Sequence, residues 1–370
     1  MAHSENFSKK NFSLVWEDVK DIIQTADFAF ANIEAPVCDN REWSSFPFFN
    51  MHSSYVRASI DAGFNVFSLV NNHVNDQGKE GIISTNEIFF RLKEENQDKS
   101  RKIYYSGIKS PENKDFSPSS LSSADNLSDS EKRIMSLQNK FNYTIIKEKG
   151  FTILFLAVTE ILNQNSFKSM VNFVEPGKRG IEELSDFIKE VRSLENPDFF
   201  ILSFHTSEEE YILPVKESRK KQYRSYLDSG ADIVWANHPH VIRERELFRD
   251  KENGKLKKII FYGNGNTISG QRRNPQYKNP YEERDYTGDG LLYEVKLSKK
   301  ITGECIEIIL EEEKAHYIST YIDQERNFVL KKLNNNFIEA LENKGENVKA
   351  RYFTERKKIC EKTKEENIWQ

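Results

Sequence analysis

Two of the chain's seven histidines, His238 and His240, flank Pro239 shortly after the apolar run at residues 231–235. In an extended backbone, residues two apart point the same way. Both imidazoles are therefore expected to project from a strand end toward one point, as metal ligands do. Three other apolar runs end similarly. Residues 28–31 lead to Asn32 and Glu34, residues 65–70 lead to Asn71, Asn72, His73 and Asp76, and residues 199–204 lead to His205. One carboxylate, an amide and four imidazoles without a thiolate suit manganese, iron or zinc better than calcium or magnesium, and suffice for two divalent ions. Two such ions about 3.5 to 4 Å apart would grip both oxygens of a phosphate ester and supply hydroxide at neutral pH. A histidine that is not a ligand could then protonate the leaving alkoxide.

Side chains about 200 residues apart meet only if the fold carries their strand ends to a common rim. Helical spacing at residues 14–25, 55–62, 180–194 and 217–229 alternates with those runs and with a further strand at 258–262. Residues 143–147 and 151–158 read as a hairpin. This rhythm predicts an α/β protein, whose ligands lie beyond the carboxyl ends of its strands. Residues 109–139, with nine serines, read as a surface insertion or mobile loop. Residues 1–310 are expected to form the main domain and residues 311–370 a charged, helical appendage.

At 370 residues the chain can bury a large core, and its 26 Phe and 15 Tyr argue against disorder. A net charge of -4 gives no long-range attraction for nucleic acid, which is not expected as a partner. Cys38, Cys305 and Cys360 are far apart and imply neither a disulfide framework nor a thiolate zinc site. No apolar stretch approaches 18 residues and the N-terminus lacks a signal-peptide core, so the chain as written reads as soluble. Glu208, Glu209 and Glu210 read as a surface run, not as the carboxylate pair of a glycosidase.

These residues resemble the CapA family of bacterial capsule and poly-γ-glutamate synthesis proteins, whose fold is that of the calcineurin-like metallophosphoesterases. ADFAFANIEAPV is similar to the family's Asn-Leu-Glu-x-Pro block, and AGFNVFSLVNNHVNDQGKEGI to its Asn-Asn-His-x-x-Asp-x-Gly block. SFHTSEEEY resembles a His-Trp-Gly-x-Glu-Tyr block, and GADIVWANHPHVI the Gly-Ala-Asp-x-Val-x-Gly-x-His-Pro-His-Val block. IIFYGNGN falls where the family carries Tyr-Ser-Leu-Gly-Asn-Phe; the likeness spans roughly residues 10–297.

The resemblance implies a four-layer α/β/β/α sandwich with a dinuclear centre. Glu34, Asn72, His205, His238 and His240 would hold metal, and His73 with Asp76 would deliver the proton. Asn32, Asn71, Glu210, Tyr211 and Asn264 would face a phosphate-ester or polymer-related substrate. The implied function is a metal-dependent phosphoesterase-type hydrolase tied to capsule or poly-γ-glutamate synthesis. The alternative is a non-catalytic accessory of such a synthesis or export complex. The family opens with a strand ending in Gly-Asp, and no such strand precedes residue 14, so the sandwich is expected to lack its first strand. Thr206 and Ser207 replace Trp-Gly, and Thr267 stands where Phe is expected. The compartment stays open between the cytoplasm and, should a further segment precede Met1, an extracytoplasmic, membrane-associated position.

Overall fold

The computed structural model describes residues 11–109, 128–272, 277–302 and 305–369. Three short strands come first, β1 (Phe30–Asn32), β2 (Val66–Ser68) and β3 (Tyr104–Ser106), paired in parallel in that order. A larger mixed sheet contains β4 (Tyr143–Glu148), β5 (Phe151–Thr159), β6 (Phe199–His205), β7 (Ile233–Asn237), β8 (Arg245–Arg249) and β9 (Leu256–Phe261). It continues with β10 (Asp289–Thr302), β11 (Cys305–Ile322), β12 (Phe328–Lys332) and β13 (Glu365–Trp369). Within it β5, β6, β7 and β9 are successive parallel neighbours, and β4 closes an antiparallel hairpin on β5.

The helices are α1 (Ser13–Trp16), α2 (Lys20–Thr25), α3 (Ser53–Ala62), α4 (Gly78–Glu95) and α5 (Asp129–Lys140). They are followed by α6 (Lys178–Glu195), α7 (Glu217–Ser229), α8 (Asn335–Asn343) and α9 (Asn347–Glu361).

Continuous apolar runs are explained by burial on both faces. Along β5, Ile153, Phe155 and Ala157 enter one core, while Leu154, Leu156 and Val158 enter another. β6 repeats the split, Phe199 and Ile201 against Phe200, Leu202 and Phe204. The first core joins the two sheets: the rings of Phe30 in β1 and Phe155 in β5 meet edge to face at 5.4 Å. The small sheet turns its other side to α4, where Phe67 packs on Phe89 at 5.2 Å. The large sheet turns its other side to α7, where Phe204 packs on Tyr223 at 5.5 Å. Helix, sheet, sheet and helix thus form the four layers, a metallophosphoesterase-like arrangement.

Three expectations need correction. The helix expected over residues 14–25 breaks between α1 and α2, where Asp18 turns to accept the backbone N–H of Lys332 at 2.8 Å. The loop expected over 109–139 ends in α5, because Ser128 and Glu131 form a capping box and Leu137 buries the helix; residues 110–127 lie outside the described residues. The appendage expected from residue 311 is no appendage. β11 runs through that boundary, β13 pairs in parallel with β8, and Leu341, Tyr352, Phe353 and Cys360 build a third core. One of its charges is internal too: Arg356 of α9 donates twice to Asp289 Oδ2, at 2.8 and 2.5 Å.

Candidate metal centre

The residues expected to cluster leave their sheets at carboxyl ends. β1 ends two residues before Glu34, β2 ends before the turns carrying Asn71 to Asp76, β6 ends on His205, and β7 ends beside His238. A carboxylate oxygen of Glu34 and ring nitrogens of His205 and His238 lie within 4.8 Å of one another, and all three residues are buried. Asn72 joins them: its Oδ1 is 3.0 Å from His205 Nε2, while its Nδ2 donates to Asn163 Oδ1 at 3.1 Å. About 3 Å is also the spacing of neighbouring ligand atoms on one ion with bonds of about 2.1 Å. His240 Nε2 lies 3.8 Å from Glu34 Oε1 and 3.9 Å from Glu210 Oε2.

The route by which His238 and His240 arrive differs from the extended repeat expected of them. β7 stops at Asn237, and His238 adopts φ +98°, a conformation that costs a non-glycine residue about 1–3 kcal/mol. That turn brings its ring within 5.0 Å of the His205 ring, centroid to centroid, and 6.3 Å from that of His240. Backbone strain stored at this position is consistent with a functional constraint.

Burial pushes the His205 imidazole well below its ordinary range, and His238, His240 and His73 add repulsion. Burial likewise takes His238 down to about 4, against the pull of Glu34. Both rings are thus neutral at neutral pH, the form in which imidazole ligates. Burial raises Glu210, but a hydrogen bond from Tyr211 and the charges of His240 and His238 outweigh it and hold the carboxyl below the usual range.

The donor set fits a divalent cation. Glu34 Oε1 and His238 Nδ1 are buried with no hydrogen-bond partner among the described residues. Such atoms cost about 1–3 kcal/mol each unless something satisfies them.

His73 is held from behind. Its Nδ1 donates to Asp76 Oδ2 at 2.7 Å, the same oxygen accepts Phe49 N–H at 2.9 Å, and the Phe49 ring stands edge-on to the imidazole at 4.5 Å. That fixes the ring and, in its neutral form, places the proton on Nδ1.

Among the expected substrate contacts, Tyr211 stacks on His240 at 6.2 Å and carries the Arg284 guanidinium on its ring at 4.0 Å, Glu210 Oε2 lies 3.9 Å from His240 Nε2, and Asn264 Oδ1 is buried with no hydrogen-bond partner among the described residues. Asn32 instead donates to Glu34 Oε2 at 3.1 Å and orients it. Asn71 is a correction: fully buried, it donates to Ile33 O at 2.7 Å and accepts His73 N–H at 3.1 Å, bracing the turn. Glu208 is another, because it is buried and paired with Arg243 at 3.1 Å, not on the surface.

Sequence reasoning missed Asn163 and Asn266. Asn163 bonds Asn72, and its Nδ2 lies 3.1 Å from His73 Nδ1; it follows β5, so the same strand-end rule would have found it. Asn266 Oδ1 accepts from His240 Nδ1 at 2.8 Å.

A four-layer metallophosphoesterase-like fold with a buried carboxylate and imidazole cluster at its strand ends is the class this geometry defines. The chain matches the family model described as bacterial capsule synthesis protein PGA_cap over residues 2–119 and 134–271, and it belongs to that family. It is similar to the capsule biosynthesis protein CapA of Bacillus anthracis, 24% identical over 268 residues, covering 70% of this chain and 54% of that protein. A similar match is the PGA biosynthesis protein CapA of Bacillus subtilis (strain 168), 24% identical over 266 residues, covering 71% and 58%. The chain thus matches little more than half the length of either relative. Among solved structures, a hypothetical protein from Thermus thermophilus superposes with a TM-score of 0.33 at 14% identity, over 86% of this chain and 92% of that one. No described helix is long and apolar enough to cross a membrane.

Proposed function

We propose that the chain is a metal-dependent hydrolase of the phosphoesterase type, working in the assembly of capsule or poly-γ-glutamate. The observation that carries this reading is the convergence of Glu34, His205 and His238 within 4.8 Å, buried, beside a His73 backed by Asp76. Glu34, Asn72, His205 and His238 would hold one divalent ion, with His240 and Glu210 available to a second; manganese, iron and zinc suit this oxygen and nitrogen set. When bound, the cation supplies Lewis-acid polarisation of a phosphoryl oxygen and hydroxide at neutral pH. Asp76 stabilises the His73 ring when it is protonated, so His73 can pass its Nε2 proton to the departing alkoxide. Tyr211, stacked on His240, and Arg284, lying on the Tyr211 ring, would contact the anionic substrate.

A second reading, a metal-binding but non-catalytic accessory of the synthesis or export complex, is favoured by charge. Two divalent ions would bring four positive charges against two carboxylates, Glu34 and Glu210, each within 4 Å of His240 Nε2.

One experiment separates the readings: manganese and zinc titrations of the purified protein and of Glu34→Ala, followed by aryl phosphate hydrolysis. Binding lost in E34A together with chelator-sensitive turnover supports the hydrolase. Binding without turnover supports the accessory, and no binding by the wild type removes both.

A further inference from the structure

Asn266 makes more hydrogen bonds than a loop asparagine needs. Its Nδ2 donates to Thr287 O at 2.8 Å, to Gln271 Oε1 at 3.1 Å and to His240 O at 3.3 Å. Two of those acceptors are backbone carbonyls, which cannot donate, so the amide cannot be turned round without setting oxygen against oxygen. Its Oδ1 therefore faces His240 Nδ1, 2.8 Å away, and an amide oxygen only accepts. The proton of the neutral His240 ring must then sit on Nδ1. Nε2, 3.8 Å from Glu34 Oε1, turns a lone pair to the cluster.

What holds Asn266 lies later in the chain. Its backbone N–H donates to Asp289 O at 3.0 Å, and Leu291 N–H donates to Asn264 O at 2.8 Å. The approach is close enough to require glycine on both sides. A Cβ on Gly265, at φ +66°, would stand 2.3 Å from Asp289 O, and one on Gly290 would stand 2.2 Å from Asn266 O. Asp289 is in turn gripped by Arg356 of α9 and lies 3.4 Å from Arg272. A line of contacts thus runs from α9 through residues 287–290 to the ring of His240.

We infer that Asn266 is a positioning residue that fixes the tautomer of His240, and that residues 287–290, beyond the stretch matched by the family model, hold Asn266 in place for this work. Its value for metal binding rests on the reading that His240 faces a cation; the tautomer does not.

Long-range proton–nitrogen correlation spectra of the metal-free, 15N-histidine-labelled chain, with His240→Gln for assignment, test it. His240 is expected to show a protonated Nδ1 and a pyridine-type Nε2. The opposite assignment in the wild type overturns the inference, whether or not metal binds. Asn266→Ala is expected to release the Nδ1 tautomer and weaken zinc binding about 10- to 100-fold in calorimetry. Should the wild type bind no zinc while His240 keeps its Nδ1 proton, the hydrolase reading falls and the positioning of His240 stands. Should Asn266→Ala fail to fold, the wild-type spectrum still decides.

Discussion

Chelated protein is expected to lose stability as pH falls, and His238 sets a measurable share of the loss. Above the ordinary imidazole value of 6.5 the ring is neutral in both folded and unfolded chains and contributes no pH dependence. Below it, the unfolded chain takes up a proton that the buried ring refuses until pH reaches about 4. A depressed folded-state value therefore destabilises across that window. At roughly 1.4 kcal/mol per unit, the interval from 6.5 to about 4 amounts to about 3 kcal/mol at its lower end. His205 acts in the same direction. The assay is urea unfolding in chelator at a series of pH values, for the wild type and His238→Asn. Carboxylates elsewhere titrate in both proteins and cancel in the difference, which should approach one proton, about 1.4 kcal/mol per pH unit, in mid-window. Parallel stability curves for the two proteins between those pH values would refute the burial argument for His238.

Asp76→Asn is expected to lower turnover by about 10²- to 10⁴-fold with metal content unchanged, because the amide no longer stabilises a protonated His73; loss of metal instead would move Asp76 from proton transfer to site architecture. Asp289→Ala removes the anion between Arg356 and Arg272 and leaves two buried guanidinium groups without it. It should cost about 3–5 kcal/mol in denaturant unfolding, whereas a change under about 1 would mean that α9 is only loosely fastened.

What the sequence made legible was governed by local rules. Residues 199–204 and 231–235 announced themselves as strands buried on both faces, and the helix over 217–229 was correctly bounded as α7. The strand-end rule brought Glu34, Asn72, His205, His238 and His240 into view because each follows such a run closely. The rule failed where the backbone left the regular period, since φ +98° at His238 cannot be read from a His-Pro-His triplet. It also failed for Asn71, whose role depends on a carbonyl 38 residues away. The C-terminal segment misled because Tyr352, Phe353 and Arg356 are buried amid charges that stay exposed. Arg356 and Asp289 look like solvent-facing charge until a fold sets one against the other, both 2% exposed or less at the side chain.

Glu34 and Asn72 follow strands of the small sheet, His205 and His238 those of the large one, and the core around Phe30 and Phe155, with the hydrogen bonds of Ser106 to Asn142 and Ala157, keeps those slabs in register. The cluster therefore gauges how tightly the two halves are clasped. A cavity opened midway along that apolar seam would slide one set of donors past the other, and catalytic geometry forgives about an ångström at most. If the chain is the proposed hydrolase, its turnover should fade under mild destabilisation well before the chain unfolds.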